Sequence, residues 1–236
     1  MTKNKHNVSP LRGEGSGVRL ILASNSPRRK ELLSGLGLEY EVRTMQGIDE
    51  SYPDGLPMEE IPQYISRKKA AAYSLDADEL LITADTIVWL DGEVLGKPAD
   101  EEEARQMLRK LSGKTHQVVT GVTLMYDVRC TMNDEGCMMV NGQLSMANEI
   151  KQHSFASVSQ VTFAQLSDEE IDYYVSRYRP LDKAGAYGIQ EWIGYIGVTS
   201  IQGSYFNVMG LPVQRLYTEM KKLNLKPLTP FRGNEK

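Results

Sequence analysis

Asp85 is the residue that most needs a chemical explanation. It interrupts the run 80–90, whose other members are Leu, Ile, Thr, Ala, Val and Trp. An ionised carboxylate in a buried strand costs several kcal/mol unless a partner or a metal ion compensates it. A structural ion pair would compensate it. Catalysis or metal binding would use it, and Thr86 and Lys97 stand close enough in sequence to line one cleft with it. A second concentration of charge, Ser24-Asn25-Ser26-Pro27-Arg28-Arg29-Lys30, falls where a short apolar segment gives way to a helix start. Unpaired N–H groups and the positive end of the helix dipole favour an anion there. The three cations face that same positive end and require something negative, either acidic neighbours on the surface or a phosphate. The strand–Ser–Pro–Arg–Arg context favours the phosphate.

Lys69 sits on the apolar stripe of its helix, where it either snorkels to solvent or reaches into a site. Lys97-Pro98 after a hairpin and Asp49-Glu50 in a loop are weaker signals; taken alone, the acidic pair reads as solvated. His6, His116 and His153 have no metal-ligand spacing, and the Walker phosphate loop is absent. The inventory of arginines, lysines and carboxylates suits a polyphosphate neutralised by cations, with a divalent metal held by carboxylates.

The elements that must position these groups follow from pattern. Residues 18–23 read as a short buried strand. Ser26 as N-cap, Pro27 at the first helical position and Gly37 past the end frame a helix. After a loop at 47–57, Ile61, Ile65 and Tyr73 form the apolar stripe that includes Lys69. Residues 80–90 read as a strand, Asp91-Gly92 as a tight turn and 93–95 as the return strand. Asp100-Glu101-Glu102-Glu103 opens a third helix, with a carboxylate three residues after its cap. A strand at 117–126, a variable excursion at 127–153 and a strand near 158–166 follow. Ser167 caps a helix carrying Ile171, Tyr174 and Val175; 182–190 is a glycine-containing loop. Residues 192–198 and 204–208 read as paired strands, and Pro212 starts the last helix. Helices scattered among hairpins imply an α/β fold with a mixed sheet. Residues 1–17 read as a mobile extension, 18–224 as the folded domain and 225–236 as a tail.

The whole chain has 236 residues, with 41% apolar, 25% charged and a net charge of −4, an ordinary globular mix. That charge argues against a generic nucleic-acid partner. The run 80–90 falls far short of the ~20 residues a membrane span needs. The first 17 residues lack the apolar core of a signal peptide. Cys130 and Cys137 alone build neither a disulfide framework nor a four-cysteine zinc site. A soluble, cytoplasmic protein is expected, with no membrane partner.

Leu22-Ala23-Ser24-Asn25-Ser26-Pro27-Arg28-Arg29, Ala84-Asp85-Thr86, Gly96-Lys97-Pro98, Leu111-Ser112-Gly113 and Asp182-Lys183-Ala184-Gly185-Ala186-Tyr187-Gly188-Ile189-Gln190 together resemble the Maf family of nucleotide pyrophosphatases. The match runs in order from about Val18 to Leu223. The resemblance implies a twisted mixed sheet with flanking helices, two lobes around a central cleft, akin to the inosine triphosphate pyrophosphatases. It also implies metal-dependent cleavage of a nucleoside triphosphate to monophosphate and pyrophosphate, with Mg²⁺ or Mn²⁺ as cofactor. The glycine-containing loop resembles the branch acting on dTTP and UTP. By the same resemblance Asp85 is the catalytic acidic residue, and Arg28, Thr86 and Gln190 occupy positions tied to pyrimidine choice. Ser24, Arg29, Lys69 and Lys97 match phosphate-binding positions, and Glu50 joins Asp85 as the metal carboxylates. A homodimer stays open. Three departures from the family pattern stand out: Glu191 and Trp192 replace glycine and could reshape the wall near Gln190, the 127–153 excursion is long, and residues 1–17 are extra. Two other readings accompany this one. The family name's association with septum formation suggests a nucleotide-binding regulator of cell division with little catalysis, against which the intact Asp85 weighs. An RNA-binding module is opposed by the negative charge and the lack of an aromatic–basic stripe.

Overall fold

In the computed structural model, which describes residues 18–127 and 149–225, a seven-stranded mixed sheet carries helices on both faces. The chain runs β1 (Arg19–Leu22), α1 (Pro27–Ser34), β2 (Tyr40–Val42), α2 (Glu60–Ala71), β3 (Glu79–Leu90) and β4 (Glu93–Leu95). It continues through α3 (Glu101–Leu111), β5 (Thr115–Asp127), β6 (Ile150–Phe163), α4 (Asp168–Tyr178) and a 3₁₀ turn at Ala184–Ala186. The last elements are α5 (Trp192–Gly197), β7 (Val198–Gln202), α6 (Tyr205–Met209) and α7 (Val213–Lys222). The strand order is β2-β1-β3-β5-β6-β7, with β4 beside the end of β3. β2, β1 and β3 are parallel, and the remaining pairings are antiparallel.

One feature of the register places the functional residues. β5 covers one edge of β3 from Leu80 to Trp89. On the opposite edge β1 stops at Ile82, and β4 begins only at Val88. Between them Ala84, Asp85 and Thr86 have no strand neighbour on that side, so the sheet opens in mid-strand. Successive side chains alternate faces. Asp85 therefore points to the face covered by α2, and Thr86 to the face that carries the main core; the gap gives both access to one cleft.

α2 lies unusually low on the sheet. Gly121 of β5, directly opposite Asp85, makes room for it. A Cβ there would stand 2.3 Å from backbone atoms of Pro62 and Gln63. Ile61 and Ile65 pack on Ile87 and Val119, while Thr83 Oγ1 donates to the Ser66 carbonyl at 2.7 Å. Two turns along, Lys69 arrives beside Asp85. The larger core lies on the other face, where Leu32 and Leu33 of α1, Leu108 and Leu111 of α3, Tyr174 and Val175 of α4 and Leu216 of α7 are buried against β3, β5 and β6.

Local signals explain most boundaries. Asp91 (φ 51°) and Gly92 (φ 90°) both take positive φ, as a two-residue hairpin turn requires. Asp100 accepts from the Glu103 N–H at 2.8 Å, and Ser167 with Glu170 forms a reciprocal capping box. Other expectations are corrected. Ser26 occupies the N-cap of α1 without a side-chain cap bond; instead its N–H donates to Ser24 Oγ at 3.2 Å. α1 ends at Ser34 with Gly35 as its C-cap, and Gly37 (φ 69°) serves the following turn. The strand at 192–198 is helix α5, the strand at 204–208 is helix α6, and a strand (β7) lies between them. β6 begins at Ile150, inside the stretch read as an excursion, and β2 has no counterpart in the sequence reading. The expectations for residues 1–17, both cysteines, and nearly all of the tail lie outside the described residues.

Candidate active site

The cleft that opens at the gap in the sheet has a volume of about 510 Å³, and the nine residues given site roles by the resemblance line it: Ser24, Arg28, Arg29, Glu50, Lys69, Asp85, Thr86, Lys97 and Gln190; Lys30 and Asp49, also noted in the sequence, do not. The start of α1 forms one wall, the loop carrying Glu50 another, and the 182–190 loop a third.

At its centre Lys69 bridges two carboxylates. Its Nζ donates to Asp85 Oδ1 at 2.7 Å and lies 3.0 Å from Glu50 Oε1. Asp85 is buried, and its Oδ2 has no partner among the described residues. The ion pair read from sequence as the structural alternative is therefore present, but it stands in the cleft. Lys97, more than half exposed, lies 3.7 Å from Glu50 Oε2 at the mouth. Burial works against the Glu50 charge, yet Lys69, Lys97 and Arg29 outweigh it and hold the carboxyl below its ordinary value.

The two arginines of α1 divide their tasks. Arg28 Nη1 pairs with Asp182 at 3.0 Å, so an acidic neighbour does compensate one of the cations at this helix start. Arg29 is half-buried in the cleft wall. Its Nε donates to the Gly210 carbonyl at 2.8 Å, Nη1 to the Ala84 carbonyl at 2.9 Å and Nη2 to Thr86 Oγ1 at 3.1 Å. Burial lowers the guanidinium pKa from its usual value, partly opposed by the Asp85 charge. Arg29 thus fills the gap in the sheet: it gives the unpaired Ala84 carbonyl of β3 a donor and ties it to the end of α6. Three of the donors expected to bind phosphate are already engaged within the protein. Thr86 Oγ1 also lies 3.0 Å from Thr120 Oγ1, which fixes its rotamer.

The third wall was only partly foreseen. Gln190 Oε1 is buried without a hydrogen-bond partner among the described residues. Glu191 and Trp192, expected to reshape this wall, do not line the cleft. Trp192 packs edge-on to Tyr173 at 4.8 Å, and the Glu191 carboxylate turns behind the loop to meet Tyr174 and Lys183. Asp182 and Lys183 entered the sequence reading only as part of the family motif and Tyr174 only as a helix residue, none with a role in the site. Arg28, the partner of Asp182, lies 154 residues away, and no pattern in the sequence joins Glu191 to Lys183 and Tyr174. Below the loop, Tyr187 OH lies 2.7 Å from His116 Nε2, and the ring stands edge-on to Phe163 and Tyr187. Among the described residues no group of three or more His, Cys, Asp and Glu is placed to hold a metal ion.

A family model described as Maf-like protein matches residues 19–223. The dTTP/UTP pyrophosphatase of Phocaeicola vulgatus is 64% identical over 207 residues, covering 87% of this chain and 96% of the relative. That of Bacteroides thetaiotaomicron is 58% identical over the same length and coverage. A solved dITP/XTP pyrophosphatase from Mycobacterium abscessus, at 12% identity and a TM-score of 0.38 over 86% of this chain and 95% of its own, is a distant likeness only. Four of the five motifs quoted from the sequence contribute residues to one cleft, Leu111-Ser112-Gly113 lying outside it, and the family model spans nearly all of the described residues: the chain belongs to the Maf family.

Proposed function

We propose that this protein hydrolyses dTTP and UTP to the monophosphate and pyrophosphate, in the cytoplasmic nucleotide pool. The observation that carries the chemistry is the Asp85 carboxylate, exposed to the cleft by the break in the sheet and held by Lys69 at 2.7 Å. Lys69 occupies Oδ1, so Oδ2 is the oxygen left to orient a water and take its proton as the water attacks the α-phosphorus. Lys69, Lys97 and Arg28, with the N-terminal N–H groups of α1, would neutralise the phosphate oxygens and the leaving pyrophosphate. Named relatives of 58–64% identity, acting on dTTP and UTP by their names, support the substrate class.

The donor set also fits a divalent cation of the Mg²⁺ or Mn²⁺ kind. Glu50 and Asp85 both stand within 3.0 Å of one ammonium group, that of Lys69. One or two carboxylates, completed by substrate phosphates, are what Mg²⁺ ordinarily takes from a protein. Such an ion would add charge neutralisation on the phosphates. Gln190 supplies the base reading: its buried, unpartnered Oε1 would accept from the N3–H of uracil or thymine.

The test is pyrophosphate release from UTP, dTTP, CTP, ATP and GTP, with and without Mg²⁺ or Mn²⁺. Metal-dependent release favouring UTP and dTTP is expected. No release from any triphosphate would overturn the reading and return the protein to a nucleotide-binding role; a preference for purines would overturn the base assignment alone.

A further inference from the structure

Arg28, tied to pyrimidine choice by the family resemblance and placed near the phosphates, is linked behind the cleft wall by a chain of polar contacts to the backbone on either side of Gln190, the residue proposed to read the base. Arg28 Nη1 meets Asp182 Oδ2 at 3.0 Å, and Asp182 Oδ1 accepts from Lys183 Nζ at 2.7 Å. The same ammonium lies 3.2 Å from Glu191 Oε1. Glu191 Oε2 accepts from the Tyr174 hydroxyl, and that hydroxyl accepts from the Gly188 N–H at 3.0 Å. Lys183 is buried and Glu191 largely covered, so their ion pair is sheltered, while Asp182 is more than half exposed.

Gln190 is therefore held from both sides. Upstream, the Gly188 backbone is tied to Tyr174; downstream, the adjacent Glu191 is tied to Tyr174 and Lys183. The fit leaves little slack. A Cβ on Gly188 would stand 2.8–3.1 Å from the Glu191 carboxyl group. At Gly194 in α5 it would stand 1.9 Å from the Ile189 carbonyl oxygen. The carboxylate and the first turn of α5 are packed directly against the backbone that presents Gln190.

We infer that Glu191 is a positioning residue for base selection: through Lys183 and Tyr174 it sets the orientation of the Gln190 amide relative to Arg28 without touching the nucleotide itself. This rests on the pyrimidine reading of the cleft. Most of its selectivity effect passes through Gln190, so it vanishes when Gln190 is absent. Removing the charge of Glu191, or the hydroxyl of Tyr174, frees the loop to present Gln190 in more than one geometry while Lys69, Asp85 and Glu50 stay in place on α2, β3 and their loop.

The test compares kcat and KM for UTP and GTP in wild type, Glu191→Gln, Tyr174→Phe, Gln190→Ala and the double variant Glu191→Gln/Gln190→Ala, with thermal midpoints measured alongside. In Glu191→Gln and Tyr174→Phe the UTP:GTP ratio of kcat/KM should fall about tenfold, as for the loss of one well-placed hydrogen bond to substrate. That loss should appear mainly in KM for UTP, with kcat for UTP changed less than about threefold. In the Gln190→Ala background, Glu191→Gln should cost almost no further selectivity. Equal losses for both nucleotides, a lowered thermal midpoint with an unchanged ratio, or a full additional loss in the double variant would each overturn the inference. A wild type that releases pyrophosphate without preferring UTP would instead defeat the base reading on which it stands, and the inference with it.

Discussion

Removing the Arg29 guanidinium would strand the carbonyl oxygens of Ala84 and Gly210 in the wall of the cleft and release Thr86 from its second partner. Hydrogen bonds to charged groups contribute roughly 1.5–3 kcal/mol each, and water entering from the cleft would recover part of that. Arg29→Ala should therefore destabilise the free protein by roughly 3 kcal/mol, and Arg29→Lys should restore only part of the loss because an ammonium cannot reproduce the guanidinium fork. Denaturant unfolding without nucleotide measures both; an unchanged midpoint would make Arg29 a substrate ligand after all. Asp85→Asn is the opposite case. It should keep the midpoint near that of wild type and lower kcat at least ~100-fold, the range for a lost general base. Near-normal turnover by folded Asp85→Asn would remove the carboxylate from the chemistry. Asp85, the cations of α1 and Lys69 stand out in the sequence because each is a type out of place: an Asp in an apolar strand, cations at a helix N-terminus, a Lys on a buried stripe; Ser24, Glu50 and Gln190 have no such mark and are tied to the site only by the family resemblance. Arg29 shows where that logic stops. Two of its three partners are backbone carbonyls, which have no signature in the sequence, so its fixed geometry could not be read from residue types.

The elements best read from sequence are those long enough to show a period or closed by specific chemistry, such as β3 with its Asp91-Gly92 turn and α4 with its capping box. The segment after Gln190 failed on both counts. α5 and α6 have only six and five residues, too few for a helical period to separate from strand alternation, and Trp192, Ile193, Tyr195 and Ile196 are residue types that favour strands. Tight packing of Gly194 on Ile189 overrides that preference. β2 was missed for a related reason, since three residues on a sheet edge leave no pattern. The approach of α2 to the sheet has an element-scale consequence. Gly→Ala within a strand is ordinarily favourable by roughly 0.5–1 kcal/mol. At Gly121 the new Cβ would meet helix backbone at 2.3 Å, and backbone cannot swing aside as a side chain can. Gly121→Ala should cost about 1–3 kcal/mol through overpacking and push α2 outward, lengthening the Lys69–Asp85 contact and lowering kcat. A crystal structure of the variant with α2 unmoved, or full activity, would contradict this account of how Lys69 reaches Asp85.

At the scale of the whole molecule, stability should depend on pH through a residue outside the reaction. His116 is almost fully buried, between Phe163 and Tyr187 beneath the 182–190 loop. Burial drives its pKa down to about 4 from an ordinary 6.5, so the folded protein keeps the ring neutral where the unfolded chain would protonate it. The sign follows directly. Between those two values the unfolded state binds more protons, so stability is fully present above about 6.5 and declines as pH falls toward 4. A shift of that size corresponds to roughly 3 kcal/mol once the window has been crossed. The carboxylates held below their ordinary values, Glu50, Glu79, Asp182 and Glu219 among them, lose their contributions at lower pH, below the ordinary carboxylate range. The interval from about pH 6.5 to 5 therefore isolates the histidine. Replacing His116 by Gln keeps a partner for the Tyr187 hydroxyl and removes the titration, so the variant's unfolding free energy should be flat across that interval while wild type declines. The measurement is urea unfolding of both proteins at half-unit steps from pH 7.5 to 4.5. Parallel curves would show that His116 is already accessible to protons in the folded state, and that the loop above it opens far more readily than its packing implies.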